Sequence, residues 1–398
     1  MPNLFHPADL LIPKAETLSA WSVVACDQFT SEPDYWNKVK ELTEGKPSTY
    51  HITLPEIYLS EQTDERIAAI NNTMLAYQET DLFREFPQSL IYVERRLSSG
   101  AVRKGLVGTV DLEAYDYHAG SVSPIRATEQ TVLSRVPPRV HIRENASLEL
   151  PHIMLLINDS NRAIFGAIEK ENAEVVYDFD LMQNGGHIAG YRLNGEKAES
   201  ICDAFDALAG SIQIAVGDGN HSLAAAKACF EAIKQEIGAE AAATHPARYA
   251  LAEVVDISDD SLKFEPIHRT VFGVDAENLL AYLRAQNGSD FTVDYVCANG
   301  CGKVSIPANG ASLACGALQQ LLDAYVAEHG GEIDYIHGDD TAATLGKQAG
   351  NISFLLEVFE KVELFTIVDR DGTLPRKAFS MGHAEDKRYY LECRKIRL

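Results

Sequence analysis

A hexapeptide near the middle of the chain combines two glycines with four side chains that could do chemistry. It consists of Gly217, Asp218, Gly219, Asn220, His221 and Ser222. Glycine permits positive φ and a close backbone approach, and Asp, Asn and Ser can cap the free amides of a following helix. An imidazole at the same place can contact a phosphate, transfer a proton or bind a metal. The segment therefore predicts a phosphate-binding turn, with His221 as a candidate catalytic residue.

The sequence on either side predicts the elements that position this turn. Before it, Ile212, Ile214 and Val216 alternate with polar or small residues, which is the period of a strand with one buried face. After it, apolar residues recur at the spacing of a helix stripe, at Leu223, Ala226, Phe230, Ile233 and Ile237. We therefore predict an inner strand over 211–216 and then a helix, whose free amides and dipole would both point at one anion.

The same pattern is also typical of an ordinary connection between a strand and a helix, and most such turns bind nothing. Two well-known phosphate motifs are excluded. The P-loop requires Lys after its second glycine, and the Rossmann fingerprint requires a third glycine and a later acidic residue. Neither requirement is met by GDGNHS and the residues after it.

A second group of candidates lies in the first half of the chain. The segment 125–150 holds Arg126 and several further basic residues in a chain with few positive charges. Such a cluster predicts an anion pocket, although a solvated helix face with salt bridges fits it equally well. Glu129 in this segment is a candidate general base for phosphoryl transfer. Asp27 is a third catalytic candidate, because it follows a predicted strand over 21–25 and α/β folds place chemistry at strand ends. A turn or cap role is the commoner one for such an Asp.

Basic residues in the last third of the chain complete the candidate set. His268 and Arg269 lie together in FEPIHRT, and Lys377 lies in LPRKAF. A guanidinium beside an imidazole can hold a phosphate or a carboxylate. With Arg126, these residues form the predicted anion clamp. No metal-ligand set can be assigned from the sequence.

Composition limits the classes of protein to which the chain can belong. The 398 residues, 46% hydrophobic and 23% charged, predict a globular protein large enough for two or three domains. A formal charge of -23 repels nucleic acids and anionic membranes, so we expect no binding to duplex DNA. With no signal segment or spanning apolar run evident, we expect a cytoplasmic protein that does not contact a membrane. The seven scattered cysteines do not suggest a disulfide framework or a structural zinc site.

Strands and helices alternate along the chain, which predicts a fold between α/β and α+β, with a mixed sheet and flanking helices. A main α/β domain with the DGNH turn is predicted for 1–272. A smaller α/β region is predicted for 273–398, and its last loop and strand are expected to return to the main domain.

Longer motifs carry a resemblance to a known family. The segment VGDGNHSLAAAK resembles the signature of the family catalogued as domain of unknown function 1015, whose members are often labelled SpoOJ/ParA/ParB/RepB-family proteins. AWSVVACDQFTSEPDYW, IRATEQTVLSRVPPR, FEPIHRTVF and LPRKAFSMG are similar to its other landmarks, in the same order. More distantly, the strand, turn and helix resemble the ParB and sulfiredoxin superfamily, which includes nucleotide-binding partition proteins and a free-serine kinase. That resemblance implies a ParB- or sulfiredoxin-like strand-turn-helix at the core.

The chain departs from those relatives at one position. They commonly have Arg one place after the residue matched by His221, and this chain has Ser222. A phosphate contact made there by Arg would have to come from His221, the turn backbone or the predicted clamp. A sulfiredoxin-like reductase is set aside, because it requires a nucleophilic Cys where this chain has Asn220.

Two functional classes remain. The first is a small-molecule kinase-like phosphotransferase or a phosphohydrolase that binds a nucleotide or another phosphate at the turn, with Mg²⁺ as the cofactor accompanying the nucleotide. The second is a non-catalytic, nucleotide-binding regulatory protein related to ParB-type partition proteins. Haem, flavin and structural zinc are not expected. The sequence does not specify the nucleotide, the acceptor or the oligomeric state.

Overall fold

A computed structural model of the chain describes residues 4–59, 63–118 and 120–397. The described residues form two compact units. The first contains those of Met1–Ala127, Thr131–Leu262 and His383–Leu398, and the second contains Thr128–Gln130 and Lys263–Gly382. The domain boundary predicted between residues 272 and 273 stays a prediction.

Strands make up much of both units. Their bounds are β1 Phe5–His6, β2 Ala8–Pro13, β3 Phe83–Arg96, β4 Val102–Asp111, β5 Tyr115–Asp116, β6 Ile125–Ala127, β7 Leu148–Glu149, β8 Met154–Ile157, β9 Glu174–Asp180, β10 His187–Asn194, β11 Ile214–Asp218, β12 Tyr249–Asp256, β13 Phe264–Phe272, β14 Phe291–Cys297, β15 Gly300–Ile306, β16 Glu332–His337, β17 Asn351–Leu355, β18 Phe379–Met381 and β19 Arg394–Lys395.

Helices of very different lengths lie between the strands. Their bounds are α1 Leu18–Trp21, α2 Pro33–Thr43, α3 Thr63–Glu79, α4 Val136–Arg143, α5 Gly195–Asp206, α6 Asn220–Ile237, α7 Ala239–Ala242, α8 Ala276–Ala285, α9 Ala314–His329, α10 Asp339–Gly346 and α11 Leu364–Asp371. Within the described ranges, no helix has the length and apolarity needed to cross a membrane.

The first unit is built on a mixed sheet. Among the described residues it has eleven strands, in the order β5-β6-β11-β8-β12-β4-β3-β10-β9, with β1 paired to β4 and β2 to β3. Strand β11 lies between β6, to which it is parallel, and β8, to which it is antiparallel. The prediction of a mixed α/β protein is therefore confirmed, and the strand before the glycine-rich turn is an inner strand.

Both faces of this sheet are buried. Consecutive residues of β3 point to opposite faces, and Leu90 and Ile91 accordingly belong to two different hydrophobic cores. One core contains Trp21 and Trp36, and the other contains Phe230 of α6. Because α6 packs its apolar stripe on the sheet, its N-terminus is fixed where β11 ends.

The second unit has its own antiparallel sheet. Its order is β15-β14-β17-β13-β16, with β18 also paired to β13, which makes six strands in the part of the chain that the structure describes.

Two sequence-based element predictions are wrong in detail. Residues 21–25 are not a strand, because Leu18–Trp21 is helical and only Val24 makes a bridge, to Tyr389. The predicted final strand over 387–397 is reduced to Arg394–Lys395. In a short apolar run, periodicity does not distinguish a strand from a buried turn, so tertiary packing determines which of the two forms.

Candidate functional site

The turn between β11 and α6 requires glycine at one position. Gly219 precedes the first residue of α6 and has φ +77° and ψ 24°, in the left-handed region. A Cβ atom on Gly219 would lie 2.9 Å from the Cα atom of Ile153. Glycine is therefore needed here for two reasons: its backbone conformation, and the close approach of the segment that contains Ile153.

The sharpness of this turn brings the first amides of α6 to one place. The Gly219 carbonyl accepts hydrogen bonds from the amides of Ser222 and Leu223, each at 3.0 Å. The amides that precede them in a helix have no intrahelical acceptor, and they lie at the positive end of the helix dipole. The backbone at Asn220 and His221 thus has the geometry of an anion site.

Asp218 stabilises the turn from its strand side. Its carboxylate accepts a hydrogen bond from the Gly219 amide at 2.9 Å and forms an ion pair with Lys387 at 3.1 Å. Burial alone would raise the pKa of Asp218, but the charge of Lys387 and the hydrogen bonds from Lys387 and the Gly219 amide outweigh it and hold the pKa below its usual value. Asp218 is therefore an anion that is already paired, and it positions the turn.

His152 lies beside the turn and was not among the residues predicted from the sequence. Its Nδ1 atom is 3.0 Å from the Tyr390 hydroxyl, and its Nε2 atom is 3.5 Å from the Ser222 hydroxyl and 3.7 Å from an Asp27 carboxylate oxygen. Burial raises the pKa of Tyr390 well above its usual value, so the hydroxyl keeps a proton that it can donate to Nδ1, and we assign the His152 tautomer on that basis. The Nε2–H group then faces Asp27 and Ser222.

His221 is held as a neutral imidazole. Its Nε2 atom accepts a hydrogen bond from the Val132 amide at 3.2 Å, which assigns the ring proton to Nδ1. Burial and the positive charges of Arg139 and Arg135 lower the pKa of His221 to about 4. Basic side chains therefore lie near the turn, although the chain as a whole is strongly acidic.

Between pH 6.5 and about 4, the lowered pKa of His221 makes the folded state progressively less stable, because the unfolded chain binds a proton there that the folded chain does not. We expect His221→Gln to remove this contribution, so its free energy of unfolding should fall less steeply than that of the wild type between pH 7 and pH 4.5. Urea unfolding at several pH values measures the difference. Parallel curves for the two proteins would contradict the assignment.

Asn220 and Arg126 hold neighbouring loops. The Asn220 side chain accepts a hydrogen bond from the Tyr115 hydroxyl at 3.3 Å and donates one to Thr131 at 3.0 Å. The buried Arg126 guanidinium donates to the carbonyls of Ser123, at 2.7 Å, and Ser211, at 3.1 Å. Arg126 thus supports the segment leading into β11, and its role in an anion clamp stays a prediction.

The other predicted clamp residues and Glu129 belong to the second unit. His268 is 2.8 Å from an Asp339 carboxylate oxygen, and burial lowers its pKa. The fully buried Arg269 donates to the carbonyls of Lys377, at 3.0 Å, and Arg376, at 2.9 Å. These bonds fix the backbone of LPRKAF, while the Lys377 side chain is exposed.

Glu129 is half-buried within Thr128–Gln130, and its backbone forms a bridge with Leu374. The clamp and the catalytic role of Glu129 both stay predictions. No group of three or more His, Cys, Asp or Glu side chains suited to a metal ion occurs within 4–59, 63–118 and 120–397.

The family resemblance is confirmed by comparison with family profiles. The profile described as "Protein of unknown function (DUF1015)" matches residues 6–396. The chain belongs to the DUF1015 family. The match extends over both units, so both are parts of the DUF1015 family fold. No curated protein matches the DUF1015 chain.

Solved structures with a similar fold are distant. Free serine kinase in complex with AMP shares 12% identity with a TM-score of 0.38, over 71% of this chain and 90% of that chain. A conserved hypothetical protein from Pyrococcus furiosus shares 12% with a TM-score of 0.37, over 72% and 94%. SbnI from Staphylococcus aureus, truncated at its C-terminus, shares 12% with a TM-score of 0.36, over 69% and 82%. Function must therefore be argued from the residues of this DUF1015 chain.

Proposed function

We propose that this protein is a nucleotide-dependent phosphotransferase that acts on a small molecule and holds the nucleotide phosphates at the turn between β11 and α6. The observation that carries the proposal is the geometry of this turn, where the left-handed Gly219 brings the first backbone amides of α6 and the Nδ1–H group of His221 to one place. The N-terminus of a helix is the positive end of its dipole and favours binding of a polyanion, even in a chain with a net charge of -23.

The residues around the turn divide into two groups. The amides at the start of α6 and the Nδ1–H group of His221 are donors for phosphate oxygens, and Arg135 supplies positive charge. Arg135 would thereby take the place of the Arg that is absent at Ser222. Beside them, Asp27 and His152 form a carboxylate and imidazole pair with its nitrogen and oxygen 3.7 Å apart. Asp27 is the proposed general base for an acceptor hydroxyl, and His152 orients it.

Magnesium fits this site only as a partner of the nucleotide. The Asp218 carboxylate is paired with Lys387, and Asp27 is the proposed base, so neither is assigned to the ion. Mg²⁺ usually keeps several waters and binds phosphate oxygens of the substrate, so the nucleotide phosphates and waters would supply most of its ligands. When bound, it would neutralise charge on the phosphates, and the residues that orient the acceptor would be unchanged.

We expect one of ATP, ADP, CTP or GTP with Mg²⁺ to raise the melting temperature of the wild type, since binding to the folded state stabilises it. His221→Ala removes one charge-assisted donor worth roughly 1.5–3 kcal/mol, so Kd should rise by about one to two powers of ten. Asp27→Asn should keep nucleotide binding and lose turnover. Thermal shift and calorimetric titration measure binding, and release of the nucleoside diphosphate measures turnover.

His187→Ala is the matched control, because His187 is an imidazole on β10 that is paired with Asp178 and Asp180. It should bind nucleotide like the wild type. Phosphate appearing on water instead of an acceptor would make the protein a phosphohydrolase. Binding without turnover would make it a regulatory nucleotide-binding protein of the ParB-like kind. If none of the nucleotides binds, the proposed function is wrong.

A further inference from the structure

The first unit contains a small cavity beside the turn, with a volume of about 140 Å³. Its walls come from the segment 52–59, from α3, α4 and α6, and from the segment 146–153. Most of the wall is apolar and is formed by Ile52, Leu54, Met74, Ile142, Leu148 and Leu150. An engineered cavity of about this size binds benzene, so a ligand of roughly six to eight non-hydrogen atoms would fill it.

One side of the cavity is part of the candidate site. His152 and Ser222, which lie 3.5 Å apart, both line it, as does Tyr390, whose hydroxyl positions the His152 ring. Ala225, one turn along α6 from Ser222, closes the same wall and is almost fully buried. A molecule in the cavity would therefore have one end at the Nε2 atom of His152 and near the start of α6.

The charged groups of the cavity wall are two Arg and two Glu, and the surplus positive charge beside them comes from Arg394, which lies outside the wall. The buried Glu149 carboxylate is paired with Arg143 and, at 3.1 Å, with Arg394, and it also accepts a hydrogen bond from the Leu251 amide. Two guanidinium groups thus share one carboxylate. The other charged wall residues, Arg139 and Glu56, form an ion pair that neutralises both.

Arg143 is the wall residue with unused hydrogen-bonding capacity. In the part of the chain that the structure describes, the hydrogen bond of its guanidinium is the one to Glu149. A guanidinium has five N–H donors in a planar arrangement that matches a carboxylate. A guanidinium that shares its carboxylate with a second guanidinium, and that has spare donors in the wall of a largely apolar cavity, is stabilised by an anionic ligand group.

We propose that this cavity binds a short, apolar monocarboxylate, with its carboxylate on Arg143 and its chain against the apolar wall. The next step rests on the proposed function. The natural ligand then also carries a hydroxyl group at the His152 end, and this hydroxyl accepts the phosphoryl group. The acceptor class is then a small hydroxy acid with an apolar body.

The corresponding transfer step is balanced without any redox partner. The acceptor hydroxyl oxygen forms a bond to the terminal phosphorus of a nucleoside triphosphate while the bond from that phosphorus to its bridging oxygen breaks. The nucleoside diphosphate leaves with the electron pair of the broken bond. The hydroxyl proton passes to the Asp27 carboxylate, which lies 3.7 Å from His152, and then to solvent.

Binding to the cavity can be tested separately from nucleotide binding by titrating the wild type with valerate, 1-pentanol and acetate. Valerate should bind best, because it supplies both the carboxylate and a chain of suitable length. Acetate lacks the chain and 1-pentanol lacks the charge, so each should bind more weakly than valerate by a factor of about ten or more. Equal binding of valerate and acetate would overturn the assignment of the apolar wall.

Two variants locate the ligand. Ala225→Leu fills the cavity and should abolish valerate binding, and Ala225→Val is the smaller substitution to use if the first does not fold. Arg143→Met should weaken valerate at least ten-fold and leave 1-pentanol unchanged, while Glu149 keeps its partners Arg394 and the Leu251 amide. Valerate binding that survives filling of the cavity would overturn the proposal, whether or not a nucleotide binds.

Discussion

Replacing Arg388 with methionine is expected to lower the free energy of unfolding by about 3–5 kcal/mol, the usual range when one partner of a buried ion pair is removed. Arg388 is almost fully buried and pairs with Glu253 and Glu392, which are buried too. Burial alone would lower the pKa of Arg388, but the two carboxylates outweigh it and raise the pKa, so the guanidinium stays charged. Without it, two carboxylates remain in the interior with too little positive charge.

Urea unfolding followed by circular dichroism measures this loss. Lys303→Met is the control, because Lys303 and Asp294 form an ion pair whose side chains are 69% and 50% exposed. An exposed pair of this kind contributes about 1 kcal/mol or less. The combined variant Arg388→Met, Glu253→Gln and Glu392→Gln should be more stable than Arg388→Met alone. A loss for Arg388→Met as small as that for Lys303→Met would show that the buried network does not hold the first unit together.

Gly219→Val is expected to destabilise the protein by about 3 kcal/mol or more and to abolish nucleotide stabilisation. The left-handed conformation costs an L-residue roughly 1–2 kcal/mol, and a β-branched one more. The added Cβ would also lie 2.9 Å from a backbone atom of Ile153, and overpacking of this kind typically costs about 1–3 kcal/mol. Either β8 or the turn must move, and the amides at the start of α6 move with it.

Gly45→Val separates the two contributions. Gly45 has φ +67°, and a Cβ atom on it meets nothing within 4 Å, so only the backbone strain applies. Gly45→Val should therefore lower the free energy of unfolding by about 1–2 kcal/mol. Denaturant unfolding and nucleotide thermal shifts on both variants are the measurements. If Gly219→Val is no less stable than Gly45→Val and still binds nucleotide, the close packing of the turn has no functional importance.

The local parts of the site could be predicted from the sequence because their physics is local. Alternation before Gly217 and helical spacing after Ser222 indicate a strand and a helix, and the left-handed residue between them is a glycine. The family motifs identified DUF1015, which the comparison with family profiles confirms.

The residues that surround the turn could not be predicted, because their contacts join distant parts of the chain. His152 gave no signal of its own, and it becomes a site residue only through Asp27 and Tyr390. Asp27 was selected because it follows a predicted strand, yet a helix and a single bridge precede it. Arg269 has the residue type of a phosphate ligand, but its carbonyl partners in LPRKAF hold it in the interior.

The division of the first unit along the chain has a consequence for synthesis. Lys387 and Arg388, which complete the turn and the buried network, follow the 120 residues of Lys263–Gly382. At roughly 5–20 residues per second, a ribosome needs about 6–24 s to make that segment. During this interval Glu253 has been translated but its partner Arg388 has not. The nascent first unit therefore lacks Arg388 beside Glu253 and Lys387 beside Asp218 until the chain after Gly382 has emerged.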